Sequence, residues 1–201
     1  MALIISAVQA GGTSLKKILL IAVAALFIPW GSAKSSATPP AESLQATDPI
    51  STIRQRYTLI NKSLAKYRTV KKELSGFSTE GGELTAYFNG KALMKIATLN
   101  RGETGRSVED FYFWDEKLIF IFRKQDTYDE PFSGKVARTT EHRFYFSDDK
   151  LIRWIDENAK QVAPGGSEYR KKQHDYLRTA KHFVEGSRSR KTTIEALAPN
   201  P

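Results

Sequence analysis

Cysteine is absent from all 201 residues, methionine occurs twice and histidine three times. With no thiol there can be no disulfide, no thiolate zinc site and no cysteine nucleophile, so a fold outside the cytoplasm must hold together by its core alone. The histidines, His142, His174 and His182, do not make up the deficit. His174 and His182 lie two helical turns apart, about 12 Å along an axis. They are too distant for one metal ion, and Arg178 between them would repel it. No serine has an identifiable histidine and acid partner. Gly76-Phe77-Ser78-Thr79-Glu80-Gly81 departs from a nucleophile elbow, with two residues between the serine and the second glycine and a helix-to-strand order. Carboxylates are plentiful, yet Asp126, Asp129 and Glu130 lack the spacing and glycine of a calcium loop and read as a solvated acidic turn. The sequence therefore predicts no catalytic residue, no metal and no cofactor.

Long apolar runs are equally scarce. The longest, Ile18 to Ile28, has 11 residues, too few for an ordinary transmembrane helix. It follows Lys16-Lys17 and precedes Pro29 and Gly31-Ser32-Ala33, the order of a signal peptide and its cleavage site. Residues 1–33 are thus expected to be a signal peptide, with translation starting at Leu15. No cysteine follows the site to carry a lipid. The mature chain would be periplasmic or extracellular and not transmembrane. Removing Lys16 and Lys17 from 31 basic residues leaves 29 against 22 acidic ones, a net charge of +7. Residues 34–47, rich in Ser, Ala, Thr and Pro, read as a disordered linker. Residues 48–186 form a single expected domain, and residues 187–201 a disordered basic tail.

What the chain does contain is a hairpin, three times over. Tyr87-Phe88-Asn89-Gly90-Lys91, Phe111-Tyr112-Phe113-Trp114-Asp115-Glu116-Lys117 and Phe144-Tyr145-Phe146-Ser147-Asp148-Asp149-Lys150 each join an aromatic strand to a polar turn, a lysine and a returning apolar strand. Superposed on Lys91, Lys117 and Lys150, the units are 26 and 33 residues apart, too unequal for a solenoid. Upstream, Asp48-Pro49 starts a helix. Ile50, Ile53, Tyr57, Ile60, Leu64, Tyr67 and Leu74 extend it as an apolar stripe of about six turns, capped by Gly76. Ser167 caps a second helix that stops before Gly186. The expected fold is α+β: a long N-terminal helix, a six-stranded antiparallel meander built from three hairpins, and a C-terminal helix, cystatin-like in shape. The Tyr-Phe-Asn-Gly-Lys string is similar to the aromatic-turn-Lys hairpins of exported bacterial repeat proteins, a similarity that implies no particular activity.

Strict alternation along the strands puts Phe111, Phe113, Phe146 and Met94 on one side of the sheet, with Tyr112, Ile119, Tyr145, Ile152 and Trp154 on the other. Since both sides are apolar, the second must be covered. Either a segment of this chain covers it, or a partner meets a patch built from Tyr112, Tyr145 and Trp154. Arg101 and Arg106, in a Gly-rich connection, offer an anion-binding turn. The C-terminal basic residues Arg170, Lys171, Lys172, Arg178, Lys181, Arg188, Arg190 and Lys191 suit an acidic polymer or lipid surface, and export argues against nucleic acid. The expectation is an exported, non-catalytic binding or accessory protein of the bacterial cell envelope. It would be a monomer or weak homodimer, and its partner an envelope protein or an acidic surface. The alternative is a cell-envelope hydrolase whose active site assembles only in three dimensions.

Overall fold

The computed structural model describes residues 48–198. The expected signal peptide (1–33) and linker (34–47) lie outside them. Helix α1 (Pro49–Ser63) starts where the Asp48 carboxylate accepts hydrogen bonds from Ile50 N and Ser51 N, each 3.2 Å, with Pro49 in the first turn where no N–H is needed. A single 3-10 turn, Leu64–Lys66, comes after it. Seven strands are next: β1 (Arg68–Ser75), β2 (Gly82–Asn89), β3 (Ala92–Gly102), β4 (Gly105–Trp114), β5 (Lys117–Tyr128), β6 (Val136–Ser147) and β7 (Lys150–Ile155). After helix α2 (Ser167–Arg188) the chain returns as β8 (Thr193–Glu195). The order across the sheet is β7-β6-β5-β4-β3-β2-β1-β8, and β8 pairs parallel with β1, Leu74 opposite Ile194.

The expected fold is thereby corrected: the sheet has eight strands, not six, and it is mixed rather than an antiparallel meander. Two segments account for the difference. Residues 68–75 form β1 instead of extending α1, which ends after 15 residues. Leu74 does fall two helical turns beyond Tyr67, but Val70, Lys72 and Leu74 also alternate inward as a strand, and Thr69-Val70 is β-branched. Pairing with β2, from Arg68 opposite Phe88 to Leu74 opposite Gly82, favours the strand. Gly76 therefore sits in a bend after β1, at φ 77°, rather than at a helix end. The second segment is β8, inside the stretch expected to be a disordered tail. Helix α2 runs through Gly186 to reach it, because that glycine is not a cap. A Cβ there would sit 2.5 Å from Ile194 Cδ1, so Gly186 is where the helix and β8 touch. Ser167 likewise makes no cap; Gly166 holds that position.

The three hairpins align on a different residue from the lysine. Phe88, Phe113 and Phe146 each lie opposite a leucine, Leu93, Leu118 and Leu151. In the second and third units the turn residues Asp115-Glu116 and Asp148-Asp149 all have positive φ, the type I′ geometry that suits strand twist. In the first, only Gly90 is positive, so the turn is Gly90-Lys91, one residue later than the Asn-Gly signal. After each leucine one extra residue bulges from the returning strand: Met94, Ile119 and Ile152. A bulge reverses the alternation for the rest of the strand.

Both faces of the sheet are covered. Helix α2 lays Tyr169, Tyr176, Ala180 and Phe183 over Leu84, Ile96, Phe111, Ile121, Phe144 and Trp154. Helix α1 lays Ile50, Ile53 and Ile60 over Met94, Tyr112, Ile119, Phe120 and Tyr145. The apolar stripe of α1 thus faces its own sheet rather than a second copy. No helix among the described residues is long and apolar enough to cross a membrane.

Candidate functional site

The expected aromatic patch does not exist as a surface. Tyr112, Tyr145 and Trp154 are 2%, 6% and 4% exposed. Nor do they share a face. Tyr112 and Tyr145 lie under α1, while Trp154 lies under α2, because the bulge at Ile152 turns the strand over just before it. Trp154 packs 5.4 Å from Phe144 and donates its indole N–H to His142 Nδ1 at 3.3 Å.

Arg101 and Arg106 are also apart from that patch, at the far end of β3 and β4, and each already has a carboxylate. Arg101 Nη2 lies 2.6 Å from Glu83 in an exposed pair. Arg106 Nε donates to Asp126 at 2.9 Å. Asp126 is not in an acidic loop at all. It is a buried residue of β5 whose carboxylate accepts from Thr139 Oγ1 at 2.7 Å as well as from Arg106. Those bonds, Thr139 first, hold its acidity below the usual carboxylate range. Asp129 pairs with Lys135 at 2.7 Å. Among the described residues no cluster of three or more histidines and carboxylates could hold a metal ion. Part of the C-terminal basic run is likewise neutralised: Lys171 pairs with Asp175 at 2.7 Å, and Arg188 with Glu116.

Two polar groupings lie between sheet and helices. Under α1, Lys95 Nζ and Asp110 form a buried ion pair at 2.8 Å, and Tyr112 Oη, held un-ionised by burial and then by Asp110, donates to Asn61 of α1 at 3.2 Å. On the other face Glu109, Arg123 and His142 stand opposite one another across β4, β5 and β6. Burial pushes the Glu109 carboxyl up, offset by Arg123 at 3.6 Å and by Tyr176 Oη at 3.4 Å. His142 is pushed down, by burial and then by Arg123. Arg123 Nε, 3.6 Å from Glu109, is a buried donor without a hydrogen-bond partner among the described residues, so this grouping is incompletely satisfied.

Open space occurs on both flanks of α1, on the face away from α2. Toward the hairpin tips a cleft of about 400 Å³ is lined by Ile53, Arg56, Trp114, Lys117, Ile119 and Asp148. Three of its four charged residues are engaged: Arg56 lies over the Trp114 ring at 5.0 Å, and Lys117 pairs with Asp148 at 2.6 Å, while Asp115 also lines the cleft. The opposite flank has a second cleft, of about 310 Å³, lined by Ile53, Arg54, Tyr57, Phe120, Phe122, Glu141, Arg143 and Tyr145. Phe120, Phe122 and Tyr145 form its floor, one from each of three neighbouring positions on β5 and β6. Tyr57 forms its wall, packed edge-on against Phe120 at 5.5 Å and tilted on Tyr112 at 4.9 Å, and it remains 40% exposed. Arg143 lies over Phe122 at 5.5 Å and pairs with Glu141 at 2.6 Å.

Of the binding residues expected from the sequence, only Tyr145 lines this cleft. Arg54, Tyr57, Phe122, Glu141 and Arg143 are not among them, since in sequence they are two helix-surface residues and three strand residues far away. The alternation of Phe122 with Phe120 is the available signal, and the bulge at Ile119 conceals it. Comparison with protein-family models, curated proteins and solved structures finds no match to this chain.

Proposed function

We propose that the protein is an exported, non-catalytic binding or accessory protein of the bacterial cell envelope, and that its ligand site is the aromatic-floored cleft between α1 and strands β5 and β6. One observation carries the binding reading. In a chain whose sheet is otherwise covered on both faces, aromatic side chains line an open cleft with arginine and glutamate at its edge, the composition that ligand sites share. Export rests on the Lys16-Lys17, apolar run and Gly31-Ser32-Ala33 order of the N-terminus. The basic surface, at net +7 after cleavage, favours residence against acidic polymers or lipids of an envelope.

The test combines localisation with recovery of a ligand. Fractionation of the source cells should find the chain, cleaved after Ala33, outside the cytoplasm. Native mass spectrometry of protein purified from those cells should detect a bound small molecule that is lost in Phe122→Gln. A cytoplasmic, uncleaved chain would sink the envelope reading. A Phe122→Gln protein that keeps the adduct would sink the cleft.

A further inference from the structure

The charges at the cleft specify more than its apolar floor does. Glu141 carries a negative charge, but Arg143 neutralises it at 2.6 Å and is itself spread over the Phe122 ring. That pair is satisfied without a ligand. Arg54, on the exposed side of α1 one residue after buried Ile53, forms no ion pair among the described residues. The cleft therefore carries one unneutralised positive charge at the rim of an apolar cavity.

We infer that the cleft takes a small amphiphile with an apolar body and a single negative charge, the body lying between Tyr57 and Phe122, above the buried rings of Phe120 and Tyr145, and the anionic group meeting Arg54. This rests on the proposal that the cleft is the ligand site. A guanidinium is suited to the task because it presents several donors in one plane, matching a carboxylate or phosphate better than an ammonium does. The volume, about 310 Å³, lies at the small end of ligand-sized cavities, which run from about 300 to 1,000 Å³. It fits a medium-length acyl chain or a fused aromatic ring. A cationic ligand would meet Arg54 as a like charge. A neutral one would leave that arginine unused. The neighbouring cleft does not share this specification, since Arg56 and Lys117 are balanced there by Asp115 and Asp148 and leave no net charge for an anion to meet.

Isothermal titration of the full chain with decanoate and 2-naphthoate, beside their uncharged amides, separates the possibilities. The acids should bind, and at least one amide should bind about tenfold or more weaker, the loss expected when a charge-assisted hydrogen bond goes unmade. Arg54→Gln, at an exposed position, should bring the acid down to the affinity of its amide and leave the amide unchanged. Phe122→Gln, with folding checked by circular dichroism, should weaken acid and amide alike. The better of decanoate and 2-naphthoate identifies whether the body is a chain or a ring. Equal affinities for acid and amide, or an Arg54→Gln protein with undiminished acid binding, would overturn the charge inference while the cleft stood. Binding that Phe122→Gln does not touch, or no binding of any of the four probes, would overturn both.

Discussion

Trp154 donates its indole N–H to Nδ1 of His142 across strands β6 and β7, at 3.3 Å. For that nitrogen to accept, the imidazole must be neutral with its proton on Nε2. Burial and Arg123 push the His142 acidity to lower pH, so the folded protein holds this tautomer below the ordinary range. The unfolded chain takes up the proton first on acidification. The stability His142 contributes is therefore complete above its unfolded value of about 6.5 and is lost as pH falls toward the folded value. Tryptophan fluorescence should change with a midpoint below about 6.5. His142→Gln should abolish that change.

Trp154→Ala measures the core directly. The ring is 4% exposed and packs against Phe144 and Tyr169, so the cavity left behind should cost about 3–5 kcal/mol in a denaturant melt. A loss under about 1 kcal/mol, the range of a surface site, would contradict the burial of the ring.

Asp126→Asn should weaken the sheet end where β4, β5 and β6 meet. The carboxylate is nearly inaccessible and accepts from Thr139 and Arg106, so its loss should cost about 1.5–3 kcal/mol near pH 7, the range of hydrogen bonds to a charged group. Because its folded acidity lies below the unfolded one, that stability is present above the ordinary carboxylate range and disappears as pH falls through the folded value. Wild type and variant should therefore converge in acid. Urea midpoints measured from pH 7 down to pH 3 check both statements.

Gly186→Ala should dislodge β8. The new methyl group would collide with Ile194, which is 3% exposed. Overpacking of this kind costs about 1–3 kcal/mol, offset by about 1 kcal/mol of improved helix propensity. Hydrogen exchange should accelerate at residues 193–195 while the middle of α2 stays protected. Unchanged protection of β8 would show that the glycine is dispensable.

Much of this fold is written in local chemistry, and the departures from expectation have local causes. The turns at Asp115-Glu116 and Asp148-Asp149, the Asp48-Pro49 start and the need to cover both sheet faces all come from turn types, capping and apolar alternation. Bulges carry no comparable signature. Met94, Ile119 and Ile152 look like any other apolar strand residue, yet each inverts the facing of the residues after it, and so strict alternation puts Trp154 on the wrong face. Residues 68–75 fit two periodicities at once, and only the pairing with β2 separates them. The cleft is the least legible feature. It joins Arg54 and Tyr57 on a helix to Phe122 and Arg143 on two strands, a meeting that exists only after the helix has docked.

Lys72, buried in β1, donates to the backbone carbonyls of Ser189 and Lys191, 117 and 119 residues further along the chain. A segment synthesised more than a hundred residues later thus holds one end of β1 in place. Closing so long a loop adds little entropy cost beyond that of a shorter one, since the cost grows only with the logarithm of length. Timing is the larger matter. Until residues 189–195 arrive, residues 73–75 at the end of β1 offer unpaired backbone groups to any neighbouring strand, the situation that favours pairing between chains. A nascent chain, or one cut short after α2, would carry that open edge for as long as it existed.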